Sequence, residues 1–256
     1  MTTRAAADVE IVYPETDGMP LPDGEYQAPI YRKIVLRLEV HFRDVPGARV
    51  NGNTFIYYVE GDPRRSVSPD CYVVFGLTEE SLESIRRRNT YLIWEVGKAP
   101  EFVLEIGSSS TATTDLGRKR DLYAGLGMLE YWRHDASGGD FYGEPLVGER
   151  LVDGEYRRLE MHHESDGRVW SHSEALNLEL WWVEGDLHFR DPVSGSWLPS
   201  HEDEIERRRE AEARADQEQA RADREQARAD QERAARREAE ARLAELMAEL
   251  RRRDGE

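Results

Sequence analysis

Three side chains in this chain of 256 residues stand where apolar ones belong. Glu105 lies in "APEFVLEIGSSST", whose Phe, Val, Leu and Ile otherwise read as a fully buried strand. Asp70 follows Pro69 at the opening of the "CYVVF" strand, and Lys119 falls in the helical stretch "TDLGRKRDLYAGL". A buried, isolated carboxylate is costly, so Glu105 must be neutral, paired with a cation or bound to a metal. Lys119 has Leu116, Leu122, Tyr123 and Leu126 three, four and seven residues away, which places it on the inward stripe of its helix. The chain has only three lysines, Lys33, Lys98 and Lys119, against 32 arginines, so habit of composition does not explain an inward lysine. An ammonium is a compact point charge, suited to a reactive water or a single phosphate oxygen.

Two carboxylates on adjacent strands repel unless a proton or a cation joins them. A hard divalent ion resolves the repulsion, and Mg²⁺ is the expected one, with Mn²⁺ able to replace it, because no Cys or His cluster offers softer ligands. Metal and lysine together could polarise a phosphoryl oxygen and stabilise the charge of a transition state. The same three residues also compose a purely structural arrangement, with Asp70 ending a strand and Glu105 paired to Lys119, and the residue types alone leave both open. A carboxylate pair hydrolysing glycosides leaves the lysine without a role. Cys71 reads as a small core residue, His162 and His163 as solvated in a turn, and no Ser/His/Asp pattern is evident.

The elements that must position these groups follow from periodicity. Residues 1–28 are rich in Pro, Gly and Asp and suggest an irregular arm. In "IYRKIVLRLEVHFRD" the spacing of Ile30, Ile34, Leu38 and Phe42 predicts a helix ended by Pro46 and Gly47. "NTFIYYVEG" and "DCYVVFGL" read as two strands joined by a turn at "DPRRSVSP". The strand "FVLEI" leads through a Ser/Thr loop into a helix with Thr114 or Asp115 as N-cap, Gly127 closes it, and "LEYWRHD" returns as a strand; such a crossover places its two strands parallel. Residues 140–200 alternate short β runs with Asp-Gly and Gly-Asp turns, predicting antiparallel strands.

From about Glu202 the composition turns to Ala, Arg, Glu, Asp and Gln, with no Gly or Pro before Gly255, so residues 201–256 are expected to form one charged helix or coiled coil. The repeats "ARADQEQ", "ARADREQ" and "ARADQER" have the seven-residue coiled-coil period, but their alanines lie roughly 200° apart around a helix. Only Leu243, Leu246 and Leu250 have seam spacing, so a solvated single helix braced by charge pairs and an oligomerising helix are both compatible with the pattern. The formal charge of −17 argues against a protein that coats nucleic acid through general electrostatics. Any nucleic-acid contact must then be local; Arg64, Arg65 and Arg86 to Arg88 are basic groups that could guide such a substrate or simply form a solvated turn and helix face. One cysteine allows no internal disulfide, and the absence of an export signal or a long apolar run predicts a cytoplasmic protein without membrane contact.

"SPDCYVVFG", "APEFVLEIGSSST" and "DLGRKRDLYAGLGMLEYWRHD", in that order, resemble the Uma-two family of restriction endonucleases, a branch of the PD-(D/E)XK nuclease superfamily. The resemblance covers about residues 28–200. It implies an α/β fold, a restriction-endonuclease-like core at residues 29–200 in which a mixed sheet is flanked by helices. It also implies DNA as substrate, Asp70 and Glu105 as metal ligands, and Lys119 as the catalytic lysine that orients or helps deprotonate the attacking water and steadies the developing charge. The superfamily's commonest pattern sets the lysine two residues after the glutamate, where this chain has Gly107; the resemblance has Lys119 replace it from the helix. An acid on the first helix often supports such sites, and Glu39 is the candidate. The loop "GSSST" departs from the family's Leu-Ser-Pro-Ser-Thr, adding flexibility beside Glu105. The non-enzymatic alternative is a nuclease fold kept as a scaffold, with the terminal helix making a homo-oligomer or recruiting a partner.

Overall fold

The computed structural model describes residues 12–14 and 27–253, so the predicted arm at 1–28 lies almost wholly outside the described residues. The chain divides into two compact units, Met1–His201 and Glu202–Glu256. In the first, helix α1 (Gln27–Phe42) forms over the expected stretch and buries Ile34, Leu38 and Phe42. Strand β1 (Arg49–Asn51) follows, then β2 (Ile56–Tyr57), β3 (Ser66–Val67) and β4 (Cys71–Val74). Helix α2 (Glu79–Arg88), strand β5 (Tyr91–Leu92), the single turn α3 (Ile93–Val96) and strand β6 (Phe102–Ile106) lead to the crossover.

The crossover helix runs as α4 (Ala112–Thr114), a π-helical turn (Asp115–Lys119) and α5 (Arg120–Leu126), and delivers the chain to β7 (Glu130–His134). β7 pairs parallel with β6, as a crossover dictates. β8 (Leu146–Val152) and β9 (Glu155–Arg158) complete a six-stranded sheet of order β1-β4-β6-β7-β8-β9. β10 (His162–His163), β11 (Val169–Ser173), β12 (Leu178–Val183) and β13 (Asp186–Arg190) form an antiparallel meander. Positive φ at Asp153 and Gly154, and at Glu184 and Gly185, supplies the tight hairpin turns.

The strands alternate their side chains between two cores. Phe102, Leu104, Ile106 and Trp132 face α1 and the meander, packing on Ile34, Leu38, Leu178, Leu180 and Phe189. Tyr72, Val74, Val103 and Tyr131 face the other way, onto Leu82 and Ile85 of α2 and Tyr123 of α5. Gly148 is fixed by close approach, since a Cβ there would lie 2.8 Å from the Trp132 ring.

Several expectations are corrected. β2 and β4 are not a hairpin: β2 pairs with β3 and β5 in a separate small sheet, whereas β4 lies between β1 and β6. Thr114 and Asp115 are not N-caps, because the helix begins at Ala112 with Thr111 before it. Leu116, placed on the inward stripe by spacing, is exposed, because the π turn rotates it outward. His162 and His163 lie on an edge strand rather than in a turn, with the His162 ring stacked on Trp170.

The second unit is the helix α6 (His201–Arg253). Its described side chains are exposed, Leu243 and Leu246 among them, and ion pairs four residues apart join Arg221 to Glu225, Arg228 to Glu232 and Arg236 to Glu240. No described helix is long and apolar enough to cross a membrane.

Candidate active site

Register and alternation bring the three singled-out residues to one face of the large sheet. β4 and β6 are antiparallel with Cys71 opposite Leu104, so the next position sets Asp70 opposite Glu105, on the face of Tyr72 and Val103. The Asp70 Oδ2 accepts the backbone N–H of Ile106 at 2.7 Å, tying the start of β4 to the end of β6. The crossover helix covers that face and lowers Lys119 onto Glu105, Nζ to Oε2 2.8 Å. The lysine side chain is 15% exposed and that of Glu105 1%.

Two further groups complete the arrangement. Asp115, one helical step before Lys119, is fully buried and lies 3.0 Å from the same ammonium through Oδ1. That contact is ionic rather than an aligned hydrogen bond, since Oδ1 has no donor in good hydrogen-bond geometry. The Tyr123 hydroxyl donates to Glu105 Oε1 at 2.5 Å. The π-helical turn widens the helix between Asp115 and Lys119 and lets Asp115, Lys119 and Tyr123 aim at one spot, and such turns recur at functional sites.

Burial pushes the Glu105 carboxyl above the usual carboxylate range; the Lys119 charge opposes this and the Asp115 charge adds to it. Burial pulls the Lys119 ammonium the other way, but Glu105, Asp115 and Asp70 outweigh it, and the lysine stays protonated well beyond its ordinary range. Burial, then the neighbouring Glu105 charge, raises the Tyr123 phenol and keeps it a hydrogen-bond donor. Arg133 stands opposite Glu105 on β7, yet its guanidinium reaches Glu149 at 2.7 Å and stacks on Tyr131. The cationic partner of Glu105 therefore comes from the helix.

Gly107 explains why no lysine stands two residues after the glutamate. A Cβ there would meet Tyr142 Cε2 at 3.1 Å and Phe141 Cβ at 3.2 Å, so the Phe141–Tyr142 loop fills that place. Asp135 Oδ2 accepts the N–H groups of Phe141 and Tyr142 and shapes the loop, and the Tyr142 hydroxyl donates to Asp115 Oδ2 at 2.8 Å. On the far side, the buried Gln27 of α1 donates to the Ile106 carbonyl at 2.9 Å.

Sequence reasoning missed Asp115, read as a cap, along with Tyr142 and Gln27. Asp115 carried a usable signal, since it precedes the inward Lys119 by four residues on the same stripe. Glu39 does not join the site: it is exposed and lines a separate cleft with Arg43, Arg49 and Arg86. Cys71 is fully buried and its thiol is pushed well up, which makes it a core residue.

Among the described residues no group of three or more His, Cys, Asp and Glu could by itself enclose a metal ion. The site offers instead two carboxylates at the ends of adjacent strands, and it sets three carboxylates against the Lys119 ammonium. That is the hard, oxygen-rich and negatively charged setting in which Mg²⁺ binds by one or two carboxylates, keeping waters or taking phosphate oxygens for the rest.

Comparison with known proteins bears on the whole domain. Residues 5–188 match the family Uma2, described as "Putative restriction endonuclease". No curated protein matches the chain. Among solved structures, a "putative nuclease belonging to DUF820" from Anabaena variabilis ATCC 29413 is similar at 18% identity and a TM-score of 0.41, over 63% of this chain and 81% of that one.

Proposed function

The chain belongs to the Uma2 family, and from that premise we propose that it is a divalent-metal-dependent endonuclease hydrolysing DNA phosphodiester bonds at Asp70, Glu105 and Lys119. The observation that carries the reading is the Lys119 ammonium, supplied from a helix 2.8 Å from Glu105 on the sheet face that Asp70 shares. The residues fit a hard ion, Mg²⁺ or Mn²⁺, and Asp70 and Glu105 would hold it. When bound, the ion supplies Lewis-acid polarisation of the phosphate and lowers the pKa of a coordinated water.

The chain's own groups do the rest. Lys119, held protonated by its three carboxylates, donates to a phosphoryl oxygen and stabilises the charge that builds there, a role for an ammonium rather than for a base. Asp115 retains the ammonium when Glu105 turns to other partners, and Tyr123 keeps one Glu105 oxygen oriented. Water adds to phosphorus and one ester P–O bond breaks, leaving a phosphomonoester and a hydroxyl.

The test is incubation of the protein with plasmid and Mg²⁺ or Mn²⁺, beside Asp70→Asn, Glu105→Gln and Lys119→Ala variants shown to be folded by circular dichroism. Metal-dependent cutting by the parent and its loss in all three is expected; cutting that survives in the variants contradicts the assignment. One observation favours the scaffold reading: both Glu105 oxygens already have partners within the protein. An uncut plasmid at every metal concentration would decide for it.

A further inference from the structure

A second cluster of charge lies at the other end of β4. A cleft of about 160 Å³ opens at the edge strand β1, lined by Glu39, Phe42 and Arg43 of α1 and its end, Arg49 and Val50 of β1, and Leu82 and Arg86 of α2. That volume has room for about five waters. The lining includes three arginines and one glutamate, a local excess of positive charge on a protein whose formal charge is −17. Among the described residues the buried Arg49 Nε makes no aligned hydrogen bond, and the Arg49 side chain lies beside the Tyr72 hydroxyl and the Glu39 carboxylate. Arg86 is the one member of the Arg86–Arg88 run that lines this cleft; Arg88 is paired to Glu95 at 3.1 Å. Among the described residues Arg86 has a loose contact of 3.9 Å with Glu83 and is 54% exposed. Arg49 pairs with Val74, so it leaves the sheet on the face that also carries Asp70 and Glu105.

We infer that this cleft holds a phosphate group through Arg43, Arg49 and Arg86. Forked guanidinium donors match the geometry of phosphate oxygens, and a low-dielectric wall strengthens each charge-assisted bond. The phosphate belongs either to a nucleic-acid backbone or to a free phosphate or phosphomonoester. The first source rests on the nuclease reading: Asp70 and Val74 are four residues apart, about 13 Å along β4, a span that a few nucleotides bridge. The cleft would then grip the strand beside the cutting site and supply the local attraction that the acidic body otherwise denies.

The test keeps binding apart from cutting. In EDTA, the full chain is titrated with a fluorescent single-stranded oligonucleotide at several salt concentrations, and its melting temperature is followed against inorganic phosphate. Arg86→Gln, on an exposed helix face, serves beside Arg49→Gln in case the latter disturbs β1. About tenfold weaker oligonucleotide binding in Arg86→Gln, with a log–log salt slope shallower by about 0.7, supports the backbone source. An unchanged oligonucleotide affinity with loss of a phosphate-induced melting shift supports the site with free phosphate as its ligand. If neither probe binds the parent, or Arg86→Gln alters neither response, the inference is overturned. Since no metal is present, these outcomes stand whether or not the protein cuts plasmid.

Discussion

At the scale of single residues, the site is governed by how few cations answer its carboxylates. Removing the Lys119 ammonium leaves the buried Glu105 and Asp115 carboxyls without their shared cation, so Lys119→Ala should lose about 3–5 kcal/mol in urea unfolding at neutral pH. Glu105 gives a pH signature. Its folded pKa lies above the ordinary value of 4.5, so the folded state binds more protons, and stability falls as pH rises from about 4.5 through the folded value. Glu105→Gln should flatten that decline. His134 acts in the opposite sense: burial lowers its pKa to about 4, against the ordinary 6.5, and the charges of Asp135 and Asp186 only partly oppose this. The unfolded state binds the proton first as pH falls, so stability should drop by about 3 kcal/mol between pH 6.5 and 4, and melting of His134→Gln should show a smaller drop. The inward Lys119 was legible in the sequence because lysine is rare in this chain and its spacing matched an apolar stripe. Tyr142 and Gln27 were not, because their place in the site depends on contacts between segments far apart in sequence.

At the scale of elements, the crossover of β6, helix and β7 could be read from local pattern, since an apolar run, a helical stretch closed by Gly127 and a second apolar run leave little choice. The π turn left no mark, because spacing of three and four residues assumes a regular helix; Leu116 is the residue it misled. The pairing of β2 was misread for another reason: turn residues between two strands show that the chain bends, not which partner each strand takes. The Gly107 loop supports a prediction here. Gly107→Ala pushes a methyl toward Phe141 and Tyr142 and should cost about 1–3 kcal/mol of stability by urea midpoint, since the Asp135 bonds hold those rings in place.

At the scale of the whole molecule, the proposed reading sets a polyanionic substrate against a chain of formal charge −17, which makes salt dependence and metal binding the properties that test it. The helix α6 extends beyond the domain matched by the family, and we propose that it self-associates through its leucine end. Leu243, Leu246 and Met247 are 62%, 54% and 50% exposed, and sedimentation should show association that grows with concentration and disappears in a Leu243→Glu, Leu246→Glu variant. The central claim is that Asp70 and Glu105 share a divalent ion beside Lys119. Anomalous scattering from crystals soaked in Mn²⁺ with a phosphorothioate oligonucleotide measures this most directly. The account predicts one Mn²⁺ peak bonded to both carboxylates, with the Lys119 ammonium turned to the phosphate; crystals saturated with Mn²⁺ that show no peak there, and Glu105 still held by Lys119 and Tyr123, would contradict it.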